Sequence, residues 1–403
     1  PTDCPQRDER MGYTGDGQVF ALTGAYNFNT DAFWKNFLRD LELGQLDNTE
    51  GYVCATVPQT GPAGIGFISM LGWGNAVTIL PEMMYRQFGD EEALPRQYES
   101  MKLFVEAEIR KMGKKNLWIG PSLGDWLAMG KGIAWQAMHN NPVSNAFIVH
   151  DLKVISETAE RLGKREDAAR YRRQLAATTD AYIKKFVSKN GIVAKDYQSA
   201  YIMALKYVLP EGELRERVKK NFVANIRKNG LQTGFFATEH LLPLLVEAGE
   251  QKLAYDVLLQ ENCPGWMYQV KCGATTTWER WDALKPDGTV NEEKMAGSGE
   301  NMVSFNHYAF GSVGEFYYQY ILGIRPEKPG FAKLHFAPYP DERLGGVSGS
   351  YLSVAGKIES AWRYEADGCH IRLATPVEAV VLLPDGRSEN VPAGTYEWTV
   401  KRP

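Results

Sequence analysis

The sequence predicts a mainly α-helical domain of paired helices, followed by a small β-rich domain. Three observations support this fold class. The first 325 residues or so place apolar residues at helical spacing, and short glycine-containing turns separate neighbouring helical segments. After Pro326 the pattern changes to short runs of alternating apolar and polar residues. We therefore expect one domain over residues 1–325 and a second over residues 326–403.

The clearest helical pair lies in the middle of the first domain. Leu152, Ile155, Ala159 and Leu162 recur at steps of three and four, and Gly163 follows them as a helix C-cap. A second periodic run comes directly after this glycine, which predicts an antiparallel helical hairpin. Similar pairs are predicted at residues 17–28 with 31–41, 71–89 with 91–112, 198–208 with 212–228, and 238–248 with 252–260, and a last helix near 303–322.

This count gives eleven helices, five pairs and one helix left over. A closed ring of six hairpins needs twelve helices, so we expect the partner of the last helix to precede residue 1. An open helical solenoid is the alternative, but solenoids repeat a sequence motif at a fixed period. The segments found here share a periodicity without sharing a motif. Long non-helical segments are expected at residues 44–70, 113–140 and 261–300, where much of the Gly, Pro and Trp is found.

The second domain is predicted to be a small antiparallel β-sandwich that serves as a structural cap. Its alternating runs cover residues 333–336, 358–362, 370–373 and 377–383, and turn signals such as Asp367-Gly368 and Asp385-Gly386 separate them.

Composition excludes several classes of protein. The chain has 45 Lys+Arg against 49 Asp+Glu and a net charge of −4, which gives no footprint for nucleic acid or an anionic membrane. No apolar run approaches the length of a transmembrane helix. The five cysteines are odd in number and form no CxxC pair, so we expect free buried thiols, no metal site and no cofactor. The given sequence begins at Pro1 and shows no signal-peptide pattern, so we expect a fragment, and the localisation stays open between the bacterial cytoplasm and the periplasm or exterior.

Aromatic residues are abundant and unusually placed. They make up 12% of the chain, with 10 Trp and 20 Tyr, and many stand in polar, Gly-rich segments rather than in helical stripes. Rings on loops suit sugar binding, because the apolar C–H face of a pyranose stacks on a ring. The alternative is that these rings fill a large core.

Two segments concentrate acidic groups. Residues 3–16 hold four acids and two arginines ahead of a helix, with Asp16 near its start, where negative charge is favoured. A solvated, salt-bridged loop is the alternative. Residues 273–282 place Glu279 between two tryptophans, and a buried carboxylate is costly unless it is paired or protonated. A plain ion pair with Arg280 is the alternative here. Two separate carboxylates with aromatic walls favour glycosidic bond hydrolysis by an acid and a base.

Six stretches of the sequence match a known family in its own order and span the helical region. The chain resembles the bacterial α-L-rhamnosidases, glycoside hydrolase family 78, in DCPQRDERMGYTGD at 3–16, GWGNA at 72–76, GDWLA at 124–128, TGFFATEHLLPLL at 233–245, PGWMYQVKCGATTTWERWD at 264–282 and NHYAFGSVGEF at 306–316. The first and fifth stretches are the specific ones, and the strand-rich tail is similar to the family's C-terminal β-sandwich.

The resemblance implies an (α/α)6 six-hairpin barrel that releases terminal α-L-rhamnose by inversion, from glycans, saponins or flavonoid glycosides. It implies Glu9 as general acid and Glu279 as general base, with no metal and no cofactor. The remaining implied site residues contact or surround the sugar: Asp3, Arg7, Tyr13, Asp16, Trp73, Trp126, Trp266, Trp278, Trp281 and His307.

The chain also departs from the family pattern. Tyr13 stands where the family usually has Trp, and Asn75 stands where an Asp is common. We expect the barrel's first helix and the family's preceding β-sandwich domains to be missing from this chain. We expect Tyr13 to keep a stacking ring, and Asn75 to retune the acid or the sugar contact.

Three other functions remain open. A sugar-binding relative without catalysis would keep the aromatic residues and lose one carboxylate, whereas both Glu9 and Glu279 are present. A hydrolase of another L-sugar or a uronide, or a polysaccharide lyase, could use the same scaffold. The other five histidines show no metal-ligand spacing and are interpreted as structural or surface residues: His139, His150, His240, His335 and His370.

Overall fold

The computed structural model describes residues 3–5, 10–59, 71–293 and 302–402. Its α-helices, in chain order, are α1 Thr14–Asn27, α2 Asp31–Leu46, α3 Ala76–Phe88, α4 Ala93–Met112, α5 Ile133–His139, α6 Asn141–Arg161, α7 Arg165–Phe186, α8 Gln198–Met203, α9 Glu213–Asn229, α10 Phe235–Glu247, α11 Gln251–Leu258, α12 Trp266–Lys271 and α13 Gly314–Phe316. A π-helical turn, Ala204–Val208, continues α8. A 3-10 turn, Ala309–Val313, leads into α13, and a π-helical turn, Tyr317–Ile321, follows it.

The predicted helical pairs are confirmed. They are α1 with α2, α3 with α4, α6 with α7, α8 with α9, and α10 with α11, and the predicted last helix is the irregular stretch 309–321. The prediction was wrong for α5 and α12, which lie inside segments expected to be non-helical. Both are only two turns long or shorter, so neither carries enough periodic positions to stand out in the sequence.

The α6–α7 hairpin shows how the sequence sets a turn. Pro142 stands in the first turn of α6, where its missing N–H leaves no hydrogen bond unmade. At the other end the N–H of Gly163 donates to the carbonyl of Glu160 (3.0 Å), and that of Lys164 to the carbonyl of Ala159 (2.8 Å). Gly163 has φ +70°, the left-handed conformation that this helix ending requires. The chain then enters α7 after a turn of three residues.

The chain divides into two compact units. The first unit comprises Pro1–Phe20, Asn36–Leu80 and Pro95–Gly311, and the second comprises Ala21–Lys35, Pro81–Leu94 and Ser312–Pro403. The first unit has a helical core, in which the predicted stripe of α6 is buried at Leu152, Ile155 and Ala159. The predicted domain boundary at residues 325 and 326 stays a prediction.

The second unit contains the β-structure. Its strands are β1 Ile324–Lys328, β2 Lys333–Phe336, β3 Gly346–Ser353, β4 Gly356–Glu365, β5 Gly368–Thr375, β6 Ala379–Leu382, β7 Ser388–Val391 and β8 Gly394–Val400. They form two four-stranded sheets, in the orders β1-β2-β6-β7 and β3-β4-β5-β8. The predicted β-sandwich is confirmed. One pairing is not antiparallel as predicted, because β2 and β6 run parallel. Parallel neighbours need a long connection, and here it consists of β3, β4 and β5 of the other sheet.

The second unit also includes the turn ends of the first two hairpins. The hydroxyl of Tyr26 in α1 donates to the carbonyl of Ile324 (3.0 Å), and its ring stacks on Tyr318 at 4.7 Å. Gln87 at the end of α3 donates to the hydroxyl of Tyr351 in β3 (2.8 Å). Buried polar contacts therefore fix these helix ends to the strands.

Among the helices of the described ranges, none combines the length and apolar character needed to cross a bilayer.

Candidate active site

Both described acids of the first acidic segment are buried, although Pro5 and Arg10 of the same segment are exposed. Asp3 and Asp16 are both almost fully buried, and the N–H of Asp3 donates to the carbonyl of Met11 (3.1 Å). Asp16 lies in the first turn of α1. Asp3 and Asp16 are therefore not solvated, as the alternative of a salt-bridged surface loop would require. Glu9 and Arg7, the predicted acid and one predicted sugar contact, lie outside the described residues.

His307 contacts both buried aspartates. Its Nε2 lies 3.2 Å from Oδ1 of Asp16 and 3.6 Å from Oδ2 of Asp3. Its Nδ1 accepts the N–H of Ala309 at 3.2 Å, which places the ring proton on Nε2, between the two carboxylates. Burial raises the pKa of Asp16, and the hydrogen bond from His307 opposes this. Burial alone would lower the pKa of His307, but Asp16 and Asp3 outweigh it and raise that pKa well above its usual value.

Glu279 lies in the segment next to His307. It is 2% exposed, and its N–H donates to the carbonyl of Ser304 (2.9 Å). Two residues earlier, Thr277 accepts the N–H of His307 at its carbonyl (2.9 Å) and donates its hydroxyl to the carbonyl of His307 (2.7 Å). The chain that carries Glu279 thus runs beside the chain that carries His307.

Arg280 forms ion pairs with two acids of the same region. Its Nε lies 3.1 Å from Asp282, and its Nη1 lies 2.7 Å from Glu293. These pairs hold the backbone on the C-terminal side of Glu279.

The predicted aromatic residues form two clusters. Trp73 contacts Trp126 and Phe236 edge-on, with ring centroids 6.2 and 5.2 Å apart. In the other cluster, Trp281 stacks on Phe310 at 3.9 Å and meets Trp266 edge-on at 5.0 Å.

The second cluster is tied to the backbone. The indole N–H of Trp281 donates to the carbonyl of Thr233 (2.8 Å), and that of Trp266 to the carbonyl of Phe310 (2.9 Å). Trp278 is buried with Tyr268 and Ala283 and meets Phe305 edge-on at 5.2 Å. The three tryptophans 266, 278 and 281 are thus packed into the unit, and their contact with a sugar stays a prediction.

Tyr13 belongs to a short pairing of two chain segments. It forms an isolated antiparallel bridge with Thr56, and the N–H of Thr14 donates to the carbonyl of Ala55 (2.8 Å). The side chain of Tyr13 is half-buried. Its predicted role as a stacking ring stays a prediction.

Gly15 allows Trp73 to approach the start of α1. A Cβ atom at Gly15 would lie only 2.8 Å from carbon atoms of the indole ring, so a larger residue would displace that ring. The glycine between Thr14 and Asp16 is therefore required by packing.

Asp125 is a site residue that sequence reasoning missed. Its carboxylate is fully buried and accepts the N–H groups of Gly234, Phe236 and Ala237 at 2.8, 2.8 and 3.0 Å. It thereby caps the N-terminus of α10 from a distant loop. Burial raises the pKa of Asp125, although hydrogen bonds from Ser199 and these amides counteract the rise.

The cap of α10 fixes two further rings that sequence reasoning missed. Phe235 lies 5.1 Å from the ring of His307, and Phe236 contacts Trp73. The motif stretches 124–128 and 233–245 contained these residues, but nothing in either stretch indicates that Asp125 binds the other.

The predicted absence of a metal is not tested. Asp3, Cys4 and His307 are buried and offer ligand-type atoms within 4.8 Å of one another, as do Glu365, Asp367 and His370 at the surface. The histidines interpreted as structural differ in burial. His150 and His240 are buried, with His240 3.0 Å from the hydroxyl of Tyr207, whereas His139, His335 and His370 are partly or fully exposed.

The paired helices and the C-terminal sandwich have the architecture of the six-hairpin glycosidase fold. A family model described as the bacterial α-L-rhamnosidase six-hairpin glycosidase domain matches residues 1–321, and one for the bacterial α-L-rhamnosidase C-terminal domain matches residues 323–396. The chain belongs to the bacterial α-L-rhamnosidase family, which confirms the resemblance seen in its motifs.

Individual relatives agree. The chain is 34% identical over 385 residues to an α-L-rhamnosidase of Alteromonas sp. (strain LOR), which covers 93% of this chain and 40% of that protein. It is also 33% identical over 398 residues to an α-L-rhamnosidase of Streptomyces avermitilis. This match covers 97% of this chain and 36% of that protein. The chain thus spans less than half the length of these relatives.

Solved structures show the same fold. The Streptomyces avermitilis α-L-rhamnosidase complexed with L-rhamnose superposes with a TM-score of 0.90 at 31% identity, over 100% of this chain and 39% of that one. The native α-L-rhamnosidase of Aspergillus terreus superposes with a TM-score of 0.90 at 31% identity. The match covers 99% of this chain and 47% of that one.

Proposed function

We propose that this chain is the catalytic part of an enzyme that releases terminal α-L-rhamnose from glycosides by inversion. One observation carries the proposal. His307 contacts Asp3 and Asp16, which precede and follow Glu9 within the first motif, and its backbone is hydrogen-bonded to the segment of Glu279. Described residues of the first motif and the segment of Glu279 thus meet at one residue, which supports the assignment of Glu9 and Glu279, 270 residues apart in sequence, to one site.

The reaction divides the work between two carboxyl groups. Glu9, protonated, gives its proton to the glycosidic oxygen as the bond from that oxygen to the anomeric carbon breaks. Glu279, ionised, takes a proton from the water that attacks the opposite face of the same carbon. Inverting enzymes hold the two carboxyl groups about 6.5–9.5 Å apart, so that this water fits.

The cluster of Asp3, Asp16 and His307 supplies the polar contacts for the sugar. Carboxylates accept hydrogen bonds from sugar hydroxyls, and the Nε2 proton of His307 can be donated to one of their oxygens. A sugar hydroxyl can therefore replace a contact within the cluster without leaving a buried charge unpaired. The rings of Trp73 and Trp126 are assigned to the apolar C–H face, with Trp and Met side chains around the C6 methyl group.

The substrates we propose are glycosides with terminal rhamnose: glycans, saponins or flavonoid glycosides. The Streptomyces avermitilis relative, solved with L-rhamnose, supports the choice of sugar. A panel of aryl glycosides tests it, and faster cleavage of another L-sugar or of a uronide contradicts it.

The deciding experiment is proton NMR of the first sugar released from an aryl α-L-rhamnoside. Inversion yields β-L-rhamnose before mutarotation, and initial α-L-rhamnose contradicts the mechanism. Rhamnose binding without release indicates a sugar-binding protein, and a product that absorbs in the ultraviolet indicates a lyase.

Glu9→Gln and Glu279→Gln test the two catalytic assignments. Each should lower kcat by about 10²–10⁴-fold, with a smaller effect on rhamnose binding, because general acid or base catalysis contributes a factor of this size. Glu261→Gln is the matched control, since Glu261 is an exposed acid paired with Lys271 at 2.7 Å. Near-normal activity in either catalytic variant contradicts that assignment.

A further inference from the structure

A second pair of buried acids lies behind the loop that carries Trp73. Glu108 in α4 and Asp151 in α6 are both at most 1% exposed. Asp151 accepts the amide N–H of Asn75 on one oxygen and the hydroxyl of Thr78 on the other. Two carboxylates with so little access to water cannot both stay ionised at low cost.

The hydrogen bonds distinguish the two acids. Asp151 has a donor on each oxygen and is therefore the acceptor of the pair. In the described part of the chain neither oxygen of Glu108 has a hydrogen bond of ordinary geometry. Burial, and next the charge of Asp151, raise the pKa of Glu108 well above its usual value. A proton on Glu108 gives it the capacity to donate to Asp151.

The acid pair is connected to Trp73 through Asn75. While Asn75 donates to Asp151, its Oδ1 accepts the N–H of Gly72 at 2.5 Å. The carbonyl of Gly72 accepts the side-chain amide of Gln18 at 2.7 Å, and Gly72 has φ +104°. Both ends of this short loop are therefore fixed by side chains, in a backbone conformation that favours glycine.

We propose that Glu108 is a positioning residue: it keeps a proton, shares it with Asp151, and through Asn75 holds the loop 72–75 so that Trp73 is presented in one orientation. The inference rests on the proposed function, because Trp73 is assigned there to the sugar. It assigns a role to three buried residues that do not belong to the His307 cluster: Asn75, Glu108 and Asp151.

The groups around Glu108 are few in the described chain. The titratable neighbours are Asp151 and His150 of α6, and Nδ1 of His150 lies 3.5 Å from Oδ1 of Asp151. The other two neighbours, Asn75 and Thr78, are neutral. The sign of the pH effect follows from the proton on Glu108. Above about pH 4.3, where a free glutamate ionises, the unfolded chain releases a proton that the folded chain keeps. The unfolding equilibrium constant of the wild type then rises by up to about tenfold per pH unit, until Glu108 itself ionises.

Glu108→Gln removes this dependence, because an amide is neutral at every pH and, like a protonated carboxyl group, can donate to Asp151. We expect the ratio of its unfolding constant to that of the wild-type chain to fall steadily from pH 5 to pH 8 in urea titrations. A ratio that is flat or rises with pH overturns the shared proton. This measurement needs no activity, so it stands even if the chain proves not to cleave rhamnosides.

The kinetic test uses three variants on an aryl α-L-rhamnoside. Glu108→Ala should raise KM about fivefold or more and leave kcat within about twofold, because a loosened Trp73 weakens sugar binding. Glu108→Gln should restore KM to the wild-type value. Val105→Ala, equally buried one turn earlier in α4, controls for general loosening of the helix.

The kinetic outcomes are distinct. If Glu108→Ala and Val105→Ala change KM alike, or if Glu108→Gln fails to restore it, the positioning role is wrong. If the wild-type chain is inactive, the proposed function fails, and the urea titrations still decide whether Glu108 keeps its proton.

Discussion

The His307 cluster and the Glu108–Asp151 pair each hold two carboxyl groups away from water. In the first, an imidazole lies 3.2 Å from Asp16 and 3.6 Å from Asp3 and supplies a proton between them. In the second, the acids meet neutral donors, Asn75 and Thr78, and one acid must keep its own proton. The first cluster offers a ring N–H and carboxylate oxygens to a ligand, whereas the second is suited to hold a fixed shape.

Asp125 shows a third way to bury an acid in the same helical unit. Three backbone N–H groups at the start of α10 donate to its carboxylate, so most of its hydrogen bonds come from the backbone. We expect substitutions at the three sites to change the free energy of unfolding by different amounts and with different dependence on pH. The following variants compare them.

The largest effect is expected for His307→Gln. This variant removes the ring N–H that lies between the buried Asp3 and Asp16, and breaking a buried pair costs about 3–5 kcal/mol. The loss in the free energy of unfolding should be greatest at pH 8 and smaller at pH 5, because the raised pKa of Asp16 lets it take up a proton as the pH falls.

Urea titrations at the two pH values measure this loss, with His335→Gln as control. His335 lies partly exposed on β2, 3.2 Å from Glu327, so its loss should be small. Equal losses in the two variants contradict the view that His307 supplies the proton of a buried cluster. Repeating the titrations with EDTA shows whether a bound metal contributes.

A smaller loss is expected for Asp125→Ala. It leaves three buried N–H groups at the start of α10 without this acceptor. We expect a loss of about 2–4 kcal/mol in the free energy of unfolding, since each unsatisfied buried donor costs about 1–3 kcal/mol and water can reach part of the gap. Thermal unfolding measures the change. Asp125→Asn retains one acceptor oxygen and should lie between Ala and wild type; an Asn variant as unstable as the Ala variant argues against the cap.

Asn75→Asp tests the second acid pair directly. An ionised aspartate cannot donate to Asp151, so we expect a loss of about 1–3 kcal/mol at pH 8 and little loss at pH 5, where the new acid can stay protonated. Asn36→Asp is the matched control, because Asn36 also donates to an acid, Asp40, but on an exposed helix face. Wild-type stability of Asn75→Asp at pH 8 contradicts the account of this pair.

Sequence periodicity was sufficient to predict the helical hairpins, because each turn and each buried stripe depends on residues close together in sequence. The motifs also located the segments of Asp16, Glu279 and His307. What could not be predicted depends on contacts far apart in sequence. Asp125 caps a helix 109 residues further along the chain, and Glu108 and Asp151 look like ordinary polar positions on two amphipathic helices.

The parallel pairing of β2 with β6 escaped prediction for the same reason. An alternating run shows which face of a strand is buried, but it does not show which strand lies beside it.

The smallest effect is expected where an acid is only partly buried. Glu106 in α4 binds the guanidinium of Arg170 in α7 through both oxygens, with Nη2 at 2.6 Å from Oε2, and accepts the hydroxyl of Tyr171 at 2.7 Å. Burial would raise the pKa of Glu106, but Arg170 and Tyr171 outweigh it and lower that pKa. This pair therefore stabilises the fold above the usual pKa of a glutamate and loses its effect as the pH falls.

Arg170→Ala should cost about 0.5–1 kcal/mol at pH 7 and less at pH 3, and the cost should shrink in 1 M salt, because water and ions screen a pair that is half-exposed. Urea titrations at both salt concentrations measure it. His307→Gln, by contrast, should lose nearly the same stability at either concentration, since salt does not reach its carboxylates. If salt reduces both losses equally, the distinction between buried and exposed acids does not hold.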